Sequence, residues 1–181
     1  MIKDLIEEFE AEGIEINTVL DPMEGSGTVG DVCKEMQKDY VGLDLKQGFD
    51  LTRDAIPGKD YDMIFVHPPY WSMITYSDNP KDLSTYKEYL QFLVDLAHGL
   101  KKCFTALRKG GVLVLQIGDL RKKGRYYFMA SDIHSIMPEM HSNLRNIIIK
   151  QQHNVKSNSY QYGNKFIPIM HEYLVVWRRG K

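Results

Sequence analysis

Short apolar segments alternate with amphipathic segments along most of the chain, and this alternation is the feature that most restricts its possible folds. From residue 18 to about residue 150, stretches typical of strands are separated by stretches with helical spacing. Such an order places successive strands parallel in one sheet, with helices on both faces. We therefore predict an α/β fold with a Rossmann-like, doubly wound, mainly parallel sheet of about seven strands.

The strand signal occurs in seven stretches, of which the third is short. The last two follow each other without an intervening helix, so we expect them to pair as an antiparallel edge. Ligands of such sheets bind beyond the carboxyl ends of the strands, at the switch point. In chain order the predicted strands are NTVLDP, YVGLDL, GFDL, YDMIFVHPP, VLVLQIGD, RNIIIKQQ and EYLVVWRR.

Helical spacing occurs in four stretches. The longest is expected to be capped by Ser84 or Thr85 and to end at Gly110 and Gly111. The last is expected to break near Pro138. The four predicted helices are IKDLIEEFEAEG, GTVGDVCKEMQKD, STYKEYLQFLVDLAHGLKKCFTALRKGG and part of YFMASDIHSIMPEM.

The length and the absence of special segments indicate a simple organisation. The 181 residues suffice for one domain with a substantial core, so we expect a single domain over residues 1–181. No apolar run reaches membrane-spanning length, and the acidic N-terminal segment does not resemble a secretory signal, which predicts a cytoplasmic protein. Cys33 and Cys103 are expected to be buried and reduced, and the histidine spacing predicts no metal site.

The charge differs sharply between the two parts of the chain. Residues 1–66 carry 6 basic and 16 acidic side chains, whereas residues 67–181 carry 17 and 8. The C-terminal part could therefore present a positive face to a polyanion although the whole chain is nearly neutral. A mixed, solvated surface with an accidental gradient is the alternative.

The segment DPMEGSGT, residues 21–28, lies between the first predicted strand and a helix. Gly25 and Gly27 permit positive φ and a close approach of a ligand to the backbone. The helix after Thr28 offers free amide donors. Asp44 ends the next strand 19 residues after Gly25, a spacing typical of ribose-binding acids. This order predicts a nucleotide-like ligand, and the alternative is a tight turn whose glycines serve packing.

Acidic side chains at this segment disfavour a dinucleotide. Asp21 and Glu24 place negative charge where a pyrophosphate would lie, and the third glycine of the dinucleotide fingerprint is missing. S-adenosylmethionine carries a sulfonium, an ammonium and no phosphate, so it suits an acidic loop. We expect Asp21 to hold the ammonium indirectly, Asp44 to bind the ribose and Asp50 to bind the adenine amine.

The segment HPPYW, residues 67–71, follows the apolar run DMIFV. Proline cannot donate to a sheet ladder, so the strand must stop there. Large aromatic rings at the end of a strand either pack into the core or stack on a planar ligand, and the local sequence leaves both arrangements open.

Both segments resemble motifs of the amino-specific (N4-cytosine or N6-adenine) DNA methyltransferase family. DPMEGSGT closely resembles its Asp-Pro-Phe-x-Gly-Ser-Gly-Thr cofactor motif, and HPPYW resembles its Asp-Pro-Pro-Tyr or Ser-Pro-Pro-Tyr catalytic motif. The resemblance extends over nearly the whole chain from Val19 onward. It implies S-adenosylmethionine as cofactor, bound by Asp21, Pro22, Met23, Gly25, Ser26, Gly27, Thr28, Asp44, Leu45 and Asp50, and a catalytic group of His67, Pro68, Pro69, Tyr70 and Trp71.

The implied chemistry is methyl transfer to an exocyclic amine of a DNA base. Such an amine is a poor nucleophile because its lone pair is delocalised into the ring. Acceptors at position 67 and at the carbonyl of Pro68 would draw its hydrogens and favour a tetrahedral nitrogen. Tyr70 would stack on the flipped base, and Trp71 would add a second face. No cysteine lies near these motifs, which disfavours carbon-5 methylation of cytosine because that reaction needs a thiolate.

Position 67 departs from the family pattern, which has Asp, Asn or Ser there. A neutral imidazole accepts one hydrogen bond, and a protonated imidazole accepts none. Activity should therefore fall as the pH drops below the pKa of His67. His67 could instead act as the base for the departing proton, and the remaining alternative is an inactive site.

The chain also lacks a long target-recognition segment. Residues 72–85 form a polar loop that could cover the target base, and residues 154–168 interleave tyrosines with lysines, which suits contact with a nucleic-acid strand. Residues 121–127 form a basic turn that could touch phosphates. Each of the last two could equally be a solvated loop. We expect low sequence specificity, or specificity supplied by a partner or by a homodimer.

Two other functions remain open on the sequence. One is methylation of a base amine in RNA, although no additional RNA-binding domain is visible. The other is a catalytically inactive, methyltransferase-fold subunit that pairs with an active partner.

Overall fold

A computed structural model describes residues 1–152 and 166–180, and its order of elements follows the predicted alternation. The α-helices are α1 (Ile2–Ala11), α2 (Thr28–Glu35), α3 (Tyr89–Ala106) and α4 (Met129–Ser135). The strands are β1 (Thr18–Asp21), β2 (Asp39–Gly42), β3 (Tyr61–Val66), β4 (Leu107–Gly118), β5 (Leu120–Lys122), β6 (Arg125–Tyr127), β7 (Leu144–Gln151) and β8 (His171–Arg178).

The main sheet has the strand order β2-β1-β3-β4-β8-β7. The first four of these strands are parallel, β8 is antiparallel to β4, and β7 is antiparallel to β8. The doubly wound, mainly parallel sheet with an antiparallel edge is therefore confirmed. The strand count is corrected: within residues 1–152 and 166–180 the main sheet has six strands rather than seven, and β5 and β6 form a separate hairpin.

The missing strand is GFDL, residues 48–51, which forms turns instead. The backbone carbonyl of Asp50 accepts hydrogen bonds from the amides of Arg53 and Asp54, at 3.0 and 2.8 Å. The Asp50 side chain also accepts from the amide of Thr52. An aspartate that bonds the backbone two residues further on favours a turn over a strand, which explains the wrong prediction.

Neighbouring residues of each central strand enter opposite hydrophobic cores. In β1, Val19 packs with α1 and α2, whereas Leu20 packs with α3 and α4. In β4, Val112 and Val114 face the first core, and Leu113 faces the second. Because side chains alternate along a strand, apolar residues at every position require helices on both faces of the sheet.

The longest helix is shorter than predicted at both ends. Residues 83–85 form a 3₁₀ turn with Asp82 as its cap, so α3 begins at Tyr89 rather than at Ser84. At the other end, the chain enters β4 directly after Ala106. Gly110 and Gly111 lie inside β4, where the pairing with β3 shifts register and a side chain on Gly111 would meet the carbonyl of Tyr61 at 2.9 Å.

The C-terminal elements agree with the sequence predictions. The helix before Pro138 is α4, and a 3₁₀ helix over Pro138–Asn143 follows it. The two cysteines, which lie in α2 and α3, also agree with the prediction: Cys33 and Cys103 are buried free thiols, one in each core. Across the described residues, no helix is long and apolar enough to cross a bilayer.

Candidate active site

A cleft of about 1210 Å³ opens at the carboxyl ends of β1, β3 and β4. From β1 the chain passes to β2 on one side and then to β3 on the other, so the order of strands reverses beside β1. In α/β sheets, ligands bind at the carboxyl ends of the strands next to such a reversal. The volume exceeds that of a typical small-molecule pocket, which is about 300–1,000 Å³. The cleft therefore has room for two molecular groups.

Residues of both predicted motifs line this one cleft. Among the predicted site residues, Gly27 and Trp71 do not contribute to its wall. Those that do are Asp21, Pro22, Met23, Gly25, Ser26, Thr28, Asp44, Leu45, Asp50, His67, Pro68, Pro69 and Tyr70.

The glycine turn after β1 depends on two left-handed residues. Gly25 has φ 58° and Gly27 has φ 83°, a region that side-chain-bearing residues rarely adopt. Gly27 directly precedes α2. The turn thereby exposes Gly25 and Ser26 to the cleft and directs the first amides of α2 toward this edge of the sheet.

Two acidic side chains connect the glycine turn with the segment that follows β2. The Asp44 carboxylate accepts hydrogen bonds from the amides of Gly25 and Lys46, at 3.0 and 2.9 Å. The Glu24 carboxylate lies against Gly42, where a Cβ atom would meet it at 2.4 Å, and it accepts from Gln47 at 3.0 Å. A side chain at position 42 would therefore displace Glu24 from the turn.

Asp21 is a buried carboxyl group at the bottom of the cleft. Burial raises its pKa to about 7, and the charges of Glu24 and Asp44 act in the same direction, whereas the hydrogen bond from the amide of Met23 opposes them. An ionised Asp21 is costly here unless a cation lies nearby. This end of the cleft therefore favours a cationic ligand and disfavours a phosphate.

Asp50 presents an unsatisfied acceptor to the same region. Its Oδ1 accepts from the amide and hydroxyl of Thr52, at 2.9 and 2.6 Å. Its Oδ2 is buried and forms an ion pair with Arg53, whose Nε lies 3.6 Å away, but it accepts no hydrogen bond among the described residues. A buried acceptor of this kind is costly unless a ligand N–H satisfies it. These carboxylate acceptors thus fit an adenosine-like group that carries an amine and a positive charge.

The His-Pro-Pro-Tyr segment begins immediately after β3. The His67 ring is exposed to the cleft, and Pro68 behind it is buried. In the described part of the chain, no hydrogen bond reaches the carbonyl of Pro68. The Tyr70 ring packs on Gly118, where a Cβ atom would approach Cε2 of Tyr70 to 2.6 Å. The segment therefore offers a free acceptor and an aromatic ring to the cleft.

Trp71 does not provide the second stacking face that was expected. Its indole is 5% exposed, packs on the rings of Tyr89 and Tyr127 with centroids 5.2 Å away in each case, and donates from Nε1 to the carbonyl of Tyr86. The backbone of Trp71 is left-handed, with φ 46°, a strain that the burial of a large ring offsets. The two aromatic rings of the motif therefore lie in different environments: Tyr70 lines the cleft, and Trp71 packs in the core.

A polar cluster around Glu172 was missed from the sequence. The Tyr70 hydroxyl donates to Oε1 of Glu172 at 2.7 Å, and Nε2 of His67 lies 3.0 Å from the Tyr70 oxygen. Gln116 and Lys150 donate to Oε2 of Glu172, at 2.7 and 2.9 Å. Strands β4, β7 and β8 therefore contribute polar side chains that hold the tip of β3.

The sequence contained a signal for this cluster. Gln116 interrupts the apolar run VLVL-Q-I of residues 112–117, and Glu172 precedes the apolar run YLVVW. Both side chains are buried, and buried polar residues need partners. Gln152 also donates to Oε1 of Glu172, the oxygen that accepts from Tyr70.

The environment of these groups fixes their protonation. The surrounding cleft walls desolvate the His67 ring although it stays accessible from the cleft, and this desolvation lowers its pKa, with Lys150 acting in the same direction and Glu172 against it. Burial and the bond to Glu172 raise the pKa of Tyr70. Burial opposes ionisation of Glu172, but the hydrogen bonds from Lys150, Tyr70 and Gln152 and the charge of Lys150 together outweigh it and lower the pKa. At neutral pH the cluster therefore contains a neutral imidazole, a protonated phenol and a carboxylate.

Basic side chains lie at the other end of the cleft. Arg121 and Lys122 of β5 line it, and the exposed Lys123 and Arg125 follow in the hairpin. The loop of residues 72–85 also lines the cleft. Most of the predicted contact loop 154–168 lies outside the described residues. Acids thus surround the glycine turn, whereas the cleft wall beyond Tyr70 combines basic side chains with Asp119 and Glu172.

The strand order and the site at the carboxyl ends of β1 and β3 define the S-adenosylmethionine-dependent methyltransferase fold. Such a methyltransferase from Clostridium acetobutylicum ATCC 824 superimposes with a TM-score of 0.57 at 15% identity, over 99% of this chain and 91% of that chain. TTHA0409 from Thermus thermophilus, in complex with S-adenosyl-L-methionine, gives 0.52 at 24% identity, over 73% of this chain and 54% of that chain.

The sequence comparison identifies the family. A profile of the DNA methylase family matches residues 61–181, more than half of the chain, so the protein belongs to that family. The type II methyltransferase M.Cfr9I from Citrobacter freundii is 43% identical over 49 residues, which cover 26% of this chain and 16% of that protein. The chain therefore matches about half the length of the Thermus protein and a much smaller part of the Citrobacter protein.

Proposed function

We propose that the protein transfers the methyl group of S-adenosylmethionine to an exocyclic amine of a DNA base, cytosine N4 or adenine N6. The observation that carries this proposal is the cleft that contains both the acidic glycine turn and the His67–Tyr70 segment. Membership of the DNA methylase family supports it. Because DNA is an intracellular polymer, the proposal also places the protein in the cytoplasm.

The acidic end of the cleft would hold the cofactor. S-adenosylmethionine supplies an electrophilic methyl group attached to a sulfonium. Ionised Asp21 would attract its positive charge, Asp44 would accept from the ribose hydroxyls, and Oδ2 of Asp50 would accept from the adenine amine. The left-handed Gly25 allows the ligand to approach the backbone closely.

The far end of the cleft would hold the target base. The carbonyl of Pro68 and a ring nitrogen of His67 would accept the two amine hydrogens, which draws the nitrogen lone pair out of conjugation. Tyr70, supported from behind by Gly118, would stack on the flipped base. Positioning and electrostatics would then account for the rate enhancement without a covalent intermediate.

Methylation assays test the proposal directly. The protein is incubated with labelled S-adenosylmethionine and either DNA or RNA, and the nucleosides are separated by mass spectrometry. We expect N4-methylcytosine or N6-methyladenine from DNA. If labelled methyl groups appear only in RNA, then RNA rather than DNA is the substrate. If calorimetry shows cofactor binding but neither polymer is methylated, an inactive binding subunit is supported.

Cofactor binding is expected to release a proton from Asp21 near neutral pH. Its pKa of about 7 must fall when a cation binds beside it, so affinity should decrease by up to about tenfold per pH unit below pH 7. Titration calorimetry in two buffers of different ionisation enthalpy measures the proton release. Asp21→Asn is the control and should abolish the release, whereas an unchanged release in that variant would contradict the role of Asp21.

The β5–β6 hairpin is expected to contact DNA phosphates. Replacing Lys123 and Arg125 together with serine should weaken DNA binding and reduce the slope of log K against log salt by about two, one for each lost phosphate contact. Fluorescence anisotropy over a series of salt concentrations measures this slope. The matched control replaces the exposed Lys59 and Lys109, near the opposite edge of the sheet, and equal slopes in both double variants would contradict the proposed contact.

Target specificity would come from a partner subunit or from a homodimer. The hairpin and the loop of residues 72–85 offer little surface for reading base edges, and base contacts carry sequence information. Analytical ultracentrifugation with and without DNA would distinguish these two arrangements.

A further inference from the structure

We propose that Glu172 is a positioning residue that acts through Tyr70 to fix the tautomer of His67, so that Nδ1 is the nitrogen that accepts from the target amine. This inference deepens the proposed function and rests on it for its catalytic meaning. The tautomer itself is a property of the protein alone and can be measured without a substrate.

The charge on Glu172 sets the direction of the hydrogen bonds. Lys150 donates to Oε2 of Glu172 at 2.9 Å, and Gln116 donates to the same oxygen at 2.7 Å. Glu172 is 6% exposed, so these partners compensate for an otherwise costly buried charge. An ionised carboxylate only accepts hydrogen bonds. The hydrogen in the 2.7 Å contact between Glu172 and Tyr70 must therefore come from the Tyr70 hydroxyl.

Tyr70 has one proton, and Glu172 receives it. The Tyr70 oxygen can then only accept in its second contact, which is to Nε2 of His67 at 3.0 Å. Nε2 must carry the hydrogen for this contact to be a hydrogen bond. A neutral imidazole with a hydrogen on Nε2 has its lone pair on Nδ1. The order of donation is therefore His67 to Tyr70 to Glu172.

This order has a catalytic consequence. As the bond from the base nitrogen to the methyl carbon forms and the carbon–sulfur bond breaks, the nitrogen becomes cationic and loses one proton. Nδ1 of His67 takes that proton, and Nε2 keeps its own. The resulting imidazolium still donates to Tyr70. The negative charge of Glu172 favours this cationic imidazolium, whereas the positive charge of Lys150 opposes it. Neither the hydrogen bond from His67 to Tyr70 nor the one from Tyr70 to Glu172 has to reverse its direction.

The same geometry predicts the effect of Glu172→Gln. Lys150 can only donate and contacts Oε2, so the glutamine carbonyl takes that place and the amide group turns toward Tyr70. Gln152 donates to Oε1 in the wild type, and its side-chain amide rotates to present its oxygen to the new amide group. Tyr70 then accepts from the amide and donates its proton to Nε2 of His67. The imidazole hydrogen moves to Nδ1, which removes the acceptor from the target amine.

Nitrogen-15 NMR of histidine-labelled protein tests the inference. The resonances of His67 are assigned with a His67→Gln variant. In the wild type we expect a protonated Nε2 and an unprotonated Nδ1, and in Glu172→Gln we expect the reverse. Turnover in Glu172→Gln should fall by about 10²-fold, with unchanged affinity for S-adenosylmethionine. Tyr70→Phe, which removes the connecting hydroxyl, should give a mixture of tautomers and serves as the second variant if Glu172→Gln does not fold.

Tyr89→Phe is the matched control. It removes another partly buried tyrosine–carboxylate bond, from Tyr89 to Asp132 at 2.7 Å, outside the cleft wall. It should leave the His67 resonances unchanged. A hydrogen on Nδ1 in the wild type, or the same tautomer in wild type and Glu172→Gln, would overturn the inference. If NMR shows the expected tautomers but the protein methylates no nucleic acid, the inference about Glu172 stands and the proposed function is refuted.

Discussion

Replacement of His67 with alanine is expected to lower the rate of methyl transfer by about 10²–10⁴-fold while leaving the affinity for S-adenosylmethionine unchanged. The imidazole lies beyond the carboxyl end of β3 and lines the cleft. In the proposed mechanism, its loss removes one acceptor for the target amine and the base for its proton. Single-turnover kinetics with labelled cofactor measure the rate, and calorimetry measures the affinity.

The pH dependence of the wild type provides an independent check. Desolvation by the cleft walls lowers the pKa of His67, so the neutral imidazole persists to lower pH than for a free histidine. Activity should be constant above the ordinary histidine range and should be lost as the pH falls through the lowered pKa, because an imidazolium accepts no hydrogen bond. The exposed His98 on α3 provides the control, His98→Ala, which should retain both rate and profile. Unchanged turnover in His67→Ala would refute the assigned role.

Replacement of Trp71 with alanine is expected to lower the free energy of unfolding by about 3–5 kcal/mol, which is the usual cost of deleting a buried large aromatic side chain. The indole packs between Tyr89 and Tyr127, and Lys122 covers its face with Nζ 4.1 Å from the ring centroid. The variant also leaves the carbonyl of Tyr86 without its indole donor. Denaturant unfolding followed by far-ultraviolet circular dichroism measures the change.

A second aromatic residue from the same loop gives the matched control. Tyr76 is 65% exposed, so Tyr76→Ala should change the free energy of unfolding by less than about 0.5 kcal/mol. If Trp71→Ala were as stable as the control and yet inactive, Trp71 would be a substrate-binding ring rather than a core residue. The pair of variants thus distinguishes the two possible roles of an aromatic residue beside the catalytic motif.

The central part of the fold was predictable because its signals are local and repeated. The runs VL (19–20), MIFV (63–66) and VLVL (112–115) are apolar at successive positions, which requires burial on both faces and hence helices on both sides. The turn glycines also behave as predicted, since Gly25 and Gly27 both adopt positive φ. The errors fall where local signals conflict: GFDL has strand-like residues, but the Asp50 side chain bonds the following backbone and forms a turn.

The amino-acid sequence by itself determined the α/β order of elements, the glycine turn with its acids, and the stop of β3 at the two prolines, because each depends on backbone preferences or hydrophobic periodicity within a few residues. Only the tertiary structure decided that Tyr70 faces the cleft while Trp71 enters the core, and that Glu172 on β8 reaches across 102 positions of sequence to bond Tyr70. Contacts of that kind depend on which strands become neighbours, and pairing between distant strands is a property of the assembled sheet rather than of any one segment.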